Sequence, residues 1–134
     1  MHAIETIYNG ELNTRSKHLK SGSIISTDAP IDNMGKGEAF SPTDLLAASL
    51  GSCMLTIMGI AAKSREIQLN GTTLTINKIM GTNPRKVAEI VIEIYMVQNP
   101  YTLEDKRILE YAAINCPVAK SLHPELIQNV IFYY

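Results

Sequence analysis

No block of basic residues occurs in this sequence, and its charged fraction is modest at 19%, with a formal net charge of −1. That balance offers no footing on a polyanion or an anionic membrane surface, so neither a nucleic acid nor a membrane partner is expected. Also missing is an N-terminal basic stretch followed by an apolar run. MHAIETIYNG does not read as a signal peptide. The expected compartment is therefore the cytoplasm, where thiols stay reduced. Cysteine is scarce too, at two residues. Two cysteines in a reducing compartment are catalytic groups or packed core residues sooner than a permanent bridge. Together with His2, His18 and His123 they show no C-x2-C or H-x3-H spacing, so no metal is expected. There is no glycine-rich phosphate loop, Gly35-Lys36-Gly37 being too short, and no nucleophile elbow. No bound cofactor is expected.

What is present suits one α+β domain over residues 1–134, since 46% of the residues are hydrophobic and the length allows a real core without staples. The central stretch is Ser41–Arg65, SPTDLLAASLGSCMLTIMGIAAKSR, with no charge between Leu45 and Ala62. A helix apolar nearly all round is buried on nearly all sides. Its length would also suit a membrane span. The small and hydroxyl residues Ser49, Gly51, Ser52, Thr56 and Gly59, and the absence of flanking belts, favour a buried soluble helix. Ser41 can cap it, Pro42 fits its first position, and Asp44 completes a capping box. It should end near Lys63–Glu66, before Asn70-Gly71.

Ahead of this helix the sequence predicts a strand over Ala3–Asn9, a hairpin turn at Asn9-Gly10, a partner strand over Glu11–Lys20, and a third strand over Ser23–Thr27. Asp28–Phe40 reads as a loop, rich in Gly, Pro, Asp and Asn. After the helix come strands over Thr72–Met80 and Val87–Gln98, the second with Ala88, Ile90, Ile92, Ile94 and Met96 on one face. Thr102 and Asp105 form a second capping box opening a helix over Leu103–Asn115. Cys116-Pro117 interrupts it, Val118–Leu122 can make a short helical turn, and Leu126–Tyr134 ends the chain as a strand. This order predicts α+β with a mostly antiparallel sheet.

Cys53 falls on the helical stripe Leu46, Leu50, Cys53, Ile57. It is either a small buried hydrophobe or a reactive thiol. Among leucines its pKa should rise, leaving it inert unless a cation reaches it. Cys116, before Pro117, is either packed core or a thiolate favoured by the free amides of a helical turn. Arg15, inside a predicted strand, is the candidate cation, and otherwise a solvated strand residue. Glu38 and Asp44 are carboxylates that could orient it, although capping by itself accounts for Asp44.

Taken together, SPTDLLAASLGSC before Cys53, TIMGIAA after it and NCPVAKSLHP around Cys116 resemble the OsmC/Ohr family of thiol peroxidases, and SGSIISTDAP and NPRKVAEIVIEI resemble its OsmC-like branch. The resemblance covers nearly the whole chain. It implies an intertwined homodimer with a long buried central helix and sites at the subunit interface. It implies a peroxidase reducing organic hydroperoxides, with Cys53 peroxidatic, Cys116 resolving, and Arg15 holding the Cys53 thiolate. The reductant it implies is an external dithiol such as a lipoyl group. Thr43 departs from the pattern, standing where the hydroperoxide-resistance proteins carry a glutamate. The alternatives are a non-catalytic dimeric module binding a small apolar ligand, and a cysteine redox sensor.

Overall fold

Two consecutive residues of positive φ build the first hairpin. In the computed structural model, which describes residues 2–134, β1 (Ile4–Gly10) and β2 (Asn13–His18) are joined by Glu11 at φ 51° and Leu12 at φ 62°. The turn expected at Asn9-Gly10 thus lies two residues further on. Paired left-handed residues give the connection whose twist matches the strands. Pairing steps from Tyr8↔Thr14 to Gly10↔Asn13, so Asn9 is a bulge, and Gly10, at φ 83°, supplies the backbone freedom beside it. β3 (Ile24–Asp28) adds to β2, completing a three-stranded antiparallel sheet.

The loop after β3 is held by one buried carboxylate. Asp28 accepts from Asn13 Nδ2 at 2.7 Å and from the Glu38 amide at 3.1 Å, while its own amide donates to the Phe40 carbonyl. Lys36 pairs with Glu11 across the same loop at 2.8 Å. Only a short 3-10 turn, Ile31–Asn33, interrupts the irregular backbone.

The helix α1 (Pro42–Ser64) starts as its sequence dictates: the Ser41 amide donates to Asp44 Oδ2 at 2.9 Å and the Asp44 amide donates to Ser41 Oγ at 3.0 Å. The chain forms two units, one ending at Leu46 and one spanning Ala47–Tyr134, so α1 begins in the first and runs on through the second. Within the second unit, β4 (Thr73–Gly81) pairs antiparallel with β5 (Lys86–Tyr95), and β6 (Ile127–Tyr133) lies parallel to β5 on its other side. The expected α+β class holds, with two three-stranded sheets and one parallel pair among otherwise antiparallel ones.

Burial of α1 differs from expectation. Within the chain it buries one face, Ala47, Leu50, Gly51, Met54, Met58 and Ala62, while Ile60 on the opposite side is 64% exposed. Fully burying Leu50, Met54 and Met58 stabilises the fold by about 1.5–3 kcal/mol each. Gly51 allows the close approach on this face: a Cβ there would stand 2.7 Å from Ile76 Cδ1 and 3.0 Å from Leu74 Cδ1 on β4. The facing core is Ile90, Ile92 and Ile94 of β5. The strand's alternation was expected to begin with Ala88, but a bulge between Val87 and Glu89 reverses the parity and buries Val87 instead.

The second capping box is present, opening α2 (Leu103–Ile114), with Thr102 Oγ1 accepting from the Asp105 amide and Asp105 Oδ2 from the Thr102 amide, both at 3.0 Å. Asp105 Oδ1 also accepts from Arg65 Nε at 2.5 Å, tying the end of α1 to the start of α2. The chain then breaks at Cys116-Pro117 and resumes as the short helix α3 (Pro117–Ser121).

Candidate active site

Cys53 lies on the fourth turn of α1, at the edge of its buried face rather than on it. Leu50 and Met54 beside it are fully buried, while Cys53 is partly open. The stripe expected from Leu46, Leu50, Cys53 and Ile57 is therefore rotated, and Leu50 alone of the four is buried. The core takes Met54 and Met58 in place of Cys53 and Ile57. This placement leaves the thiol accessible from one side.

Cys116 has no exposure at all, packed in the core with Leu109 and Ala113 of α2. Proline at the following position stops α2 from continuing, so Cys116 takes an extended conformation, φ −65° and ψ 156°, as the N-cap residue of α3. The fold brings the two cysteines, 63 positions apart in the chain, close enough together for the Cys53 thiol to influence the titration of Cys116. Both are free thiols.

The titration of Cys116 departs from the simple helix-end expectation. Burial pushes its pKa above the ordinary thiol value, and the neighbouring Cys53 thiol adds to that rise. The Ala119 and Val118 amides face the sulfur and pull the other way, without closing a capping hydrogen bond. Desolvation prevails because a buried thiolate has lost its water while two peripheral amides restore only part of that solvation. Cys116 is accordingly held as the protonated thiol, not as the thiolate its position before Pro117 suggested.

The other candidates lie in the first unit. Arg15 is an exposed residue of β2, paired with Ile7 on β1 and Ser26 on β3. Glu38 is exposed in the loop, near enough to Lys36 to favour that residue's charged form. Asp44 caps α1 through the Ser41 amide. Thr43 is within hydrogen-bond distance of Ser41, hydroxyl to hydroxyl at 3.2 Å.

Two residues that organise their own surroundings, one in each unit, escaped the sequence reading. Asp28 looked like an ordinary loop aspartate, and its burial depends on Asn13, fifteen positions away. Gln128 lies on the inward-facing positions of β6 with Val130 and Phe132, and donates from Nε2 to the Ala119 carbonyl of α3 at 3.0 Å. A polar residue at an apolar position of an alternating strand is the signal that could have marked it. Among the described residues no group of three or more His, Cys, Asp or Glu side chains converges where a metal could sit.

The fold as a whole has counterparts among solved structures. The chain superposes on a Psychrobacter arcticus protein named for osmotic stress induction and a detoxification response, with 50% identity, a TM-score of 0.95, and coverage of 99% of this chain and 96% of that one. An OsmC-like protein from Mycoplasma pneumoniae shares the fold at 20% identity, with a TM-score of 0.80 over 97% and 94% of the two chains. The organic hydroperoxide resistance protein OsmC of Legionella pneumophila shares it at 15% identity, with a TM-score of 0.77 over 100% and 98%. No curated protein matches the chain. The model of the OsmC-like protein family matches residues 35–128, a span holding both cysteines, the whole of α1 and nearly all of the second unit. With that match and the half-identical relative, the chain belongs to the OsmC-like family.

Proposed function

We propose that this protein is a thiol-dependent peroxidase that reduces organic hydroperoxides, with Cys53 as the peroxidatic and Cys116 as the resolving cysteine. The observation that carries this reading is the proximity of one partly open thiol and one buried thiol across 63 positions of sequence, close enough that the first influences the titration of the second. The family supports the coarser redox role, since its fold includes proteins named for organic hydroperoxide resistance.

Each cysteine's environment suits its part. The Cys53 thiolate attacks the outer peroxide oxygen, the O–O bond breaks, and the alcohol leaves with a proton. Cys53 is then a sulfenic acid. The Cys116 sulfur attacks the Cys53 sulfur, its proton leaves with the hydroxyl as water, and a disulfide forms. An external dithiol, such as a lipoyl group, restores both thiols by exchange. The apolar flank of α1 favours substrates with apolar tails. A fixed cation would favour the Cys53 thiolate, whose apolar flank on α1 supplies no other counter-charge. Arg15 is assigned that part, with Glu38 or Asp44 as the carboxylate that orients it.

A second copy of the chain fits this scheme. The outer side of α1 at Ile60, and Ile4, Ile7 and Tyr8 of β1, are exposed apolar residues that a homodimer would cover. The protein would act in the cytoplasm, where dithiol reductants are maintained.

The test follows consumption of cumene hydroperoxide coupled to dihydrolipoamide. Cys53→Ser should abolish turnover. Cys116→Ser should still consume one equivalent of peroxide and leave a sulfenic acid that dimedone traps. Turnover that persists in Cys53→Ser, or a wild-type protein that consumes no peroxide, would sink the reading.

A further inference from the structure

Resolution needs the buried Cys116 held against Cys53, yet α3, the element that starts from it, is only five residues long. Such a helix has almost no intrinsic stability, because the cost of nucleation is spread over a single turn. Its internal ties are few: the Lys120 amide to the Cys116 carbonyl at 3.1 Å, and Ser121 Oγ to the Pro117 carbonyl at 2.8 Å. Neither fixes the segment to the rest of the fold. The Cys116 amide donates to the Ala113 carbonyl of α2 at 3.3 Å at the start of the segment, and the side-chain tie further along is Gln128, whose Nε2 donates to the Ala119 carbonyl at 3.0 Å. Gln128 stands on β6 opposite the buried Ile90, half-buried on the strand's inward-facing side, where the alternation calls for an apolar side chain. Placing an amide there has a desolvation cost that a leucine would not, and the hydrogen bond to α3 offsets it.

We propose that Gln128 is a positioning residue that sets the geometry of the Cys53–Cys116 pair by anchoring α3 to β6. The inference rests on the reading of Cys116 as the resolving thiol. Disulfide formation brings the two neighbouring sulfurs to bonding distance, about 2.05 Å. The Cys116 end of α3 has to advance while its other end stays fixed. The Ala119 carbonyl, three residues on, is the point at which Gln128 fixes it.

Two measurements test this. The first equilibrates wild type, Gln128→Met and Gln128→Ala with glutathione redox buffers and quantifies the Cys53–Cys116 disulfide. Methionine keeps the length and packing while removing the donor, and guards against a folding defect in the alanine variant. Loss of the anchor should lower the equilibrium constant for disulfide formation about tenfold, equivalent to about 30 mV for a two-electron couple. The second follows peroxide reaction by stopped flow. The peroxide-dependent formation of sulfenic acid should stay within twofold of wild type, while the peroxide-independent resolving step slows about tenfold. Dimedone trapping should rise in proportion.

Unchanged disulfide equilibrium in a folded Gln128→Met protein overturns the proposal. So does an equal fall in both kinetic phases, which would mark a general structural defect. A wild-type protein that forms the disulfide in glutathione buffer but never reacts with peroxide defeats the peroxidase reading alone, and the glutathione comparison still decides the role of Gln128.

Discussion

Replacing Gly51 by alanine isolates how closely α1 is pressed against β4, two positions before Cys53. In a free helix interior the change would stabilise by about 1 kcal/mol, because glycine loses the most backbone entropy on folding. Here the added methyl would stand 2.7 Å from Ile76 Cδ1 and 3.0 Å from Leu74 Cδ1, well inside van der Waals contact. Overpacking a core costs about 1–3 kcal/mol. Both obstructing atoms are the ends of side chains, which can rotate away for about 0.5–1.5 kcal/mol each. Steric cost therefore exceeds the propensity gain, and Gly51→Ala should destabilise by about 1 kcal/mol net.

Ile76→Val removes the nearer obstruction and by itself costs about 0.5–1.5 kcal/mol. In that background Gly51→Ala should be neutral or slightly stabilising, a coupling of about 1 kcal/mol between the two sites. Urea unfolding of the reduced protein at fixed concentration measures all four corners of the cycle, provided the slope stays constant. A single Gly51→Ala variant stabilised by about 1 kcal/mol, with an additive double mutant, would show that α1 does not sit against β4 as described.

Three further outcomes are expected. The resolving step should accelerate about tenfold per pH unit from neutral upward and still be rising beyond about pH 8.5, the ordinary thiol range, because burial raises the Cys116 pKa; stopped-flow measurement of the peroxide-independent phase checks this, and a plateau below that range would contradict it. Asp105 has a depressed pKa, set first by the Thr102 amide and then by Arg65, so its contribution is complete above the ordinary carboxylate range and is lost as pH falls through its lowered folded value. Asp105→Asn should therefore lower the melting temperature at neutral pH, and the gap from wild type should close as pH drops below about 4; a gap independent of pH would argue against the assignment. Asp28→Ala leaves the Glu38 N–H without its acceptor, at about 1–3 kcal/mol if that group stays buried, and takes from the Asn13 side-chain amide one acceptor while the Thr27 carbonyl at 3.0 Å remains. Hydrogen exchange at Glu38 should quicken more than exchange along β5, and uniform behaviour at both would refute the anchoring role.

Much of the architecture is local and was readable from the chain. The boxes at Ser41–Asp44 and Thr102–Asp105 are satisfied within four residues, so sequence determines where both helices begin. Cys116-Pro117 likewise breaks the helix wherever it stands, because the proline ring excludes helical geometry before it. The motifs around the two cysteines also carried the family. Tertiary structure decided the rest. A bulge at Ala88 moved Val87 into the core, and the turn settled on Glu11-Leu12, since register depends on what the opposing strand offers. Which side of α1 is buried could not be read from a helix apolar on every side. Packing on β4 and β5 chose the Leu50, Met54 and Met58 face and left Cys53 at its margin. Whether Cys116 would be a thiolate was undecidable from its neighbours in sequence, because its amides and its burial act in opposition and only the fold sets the depth of burial. The meeting of the two thiols, and the hydrogen bond from Gln128 that holds α3, depend on contacts between distant segments.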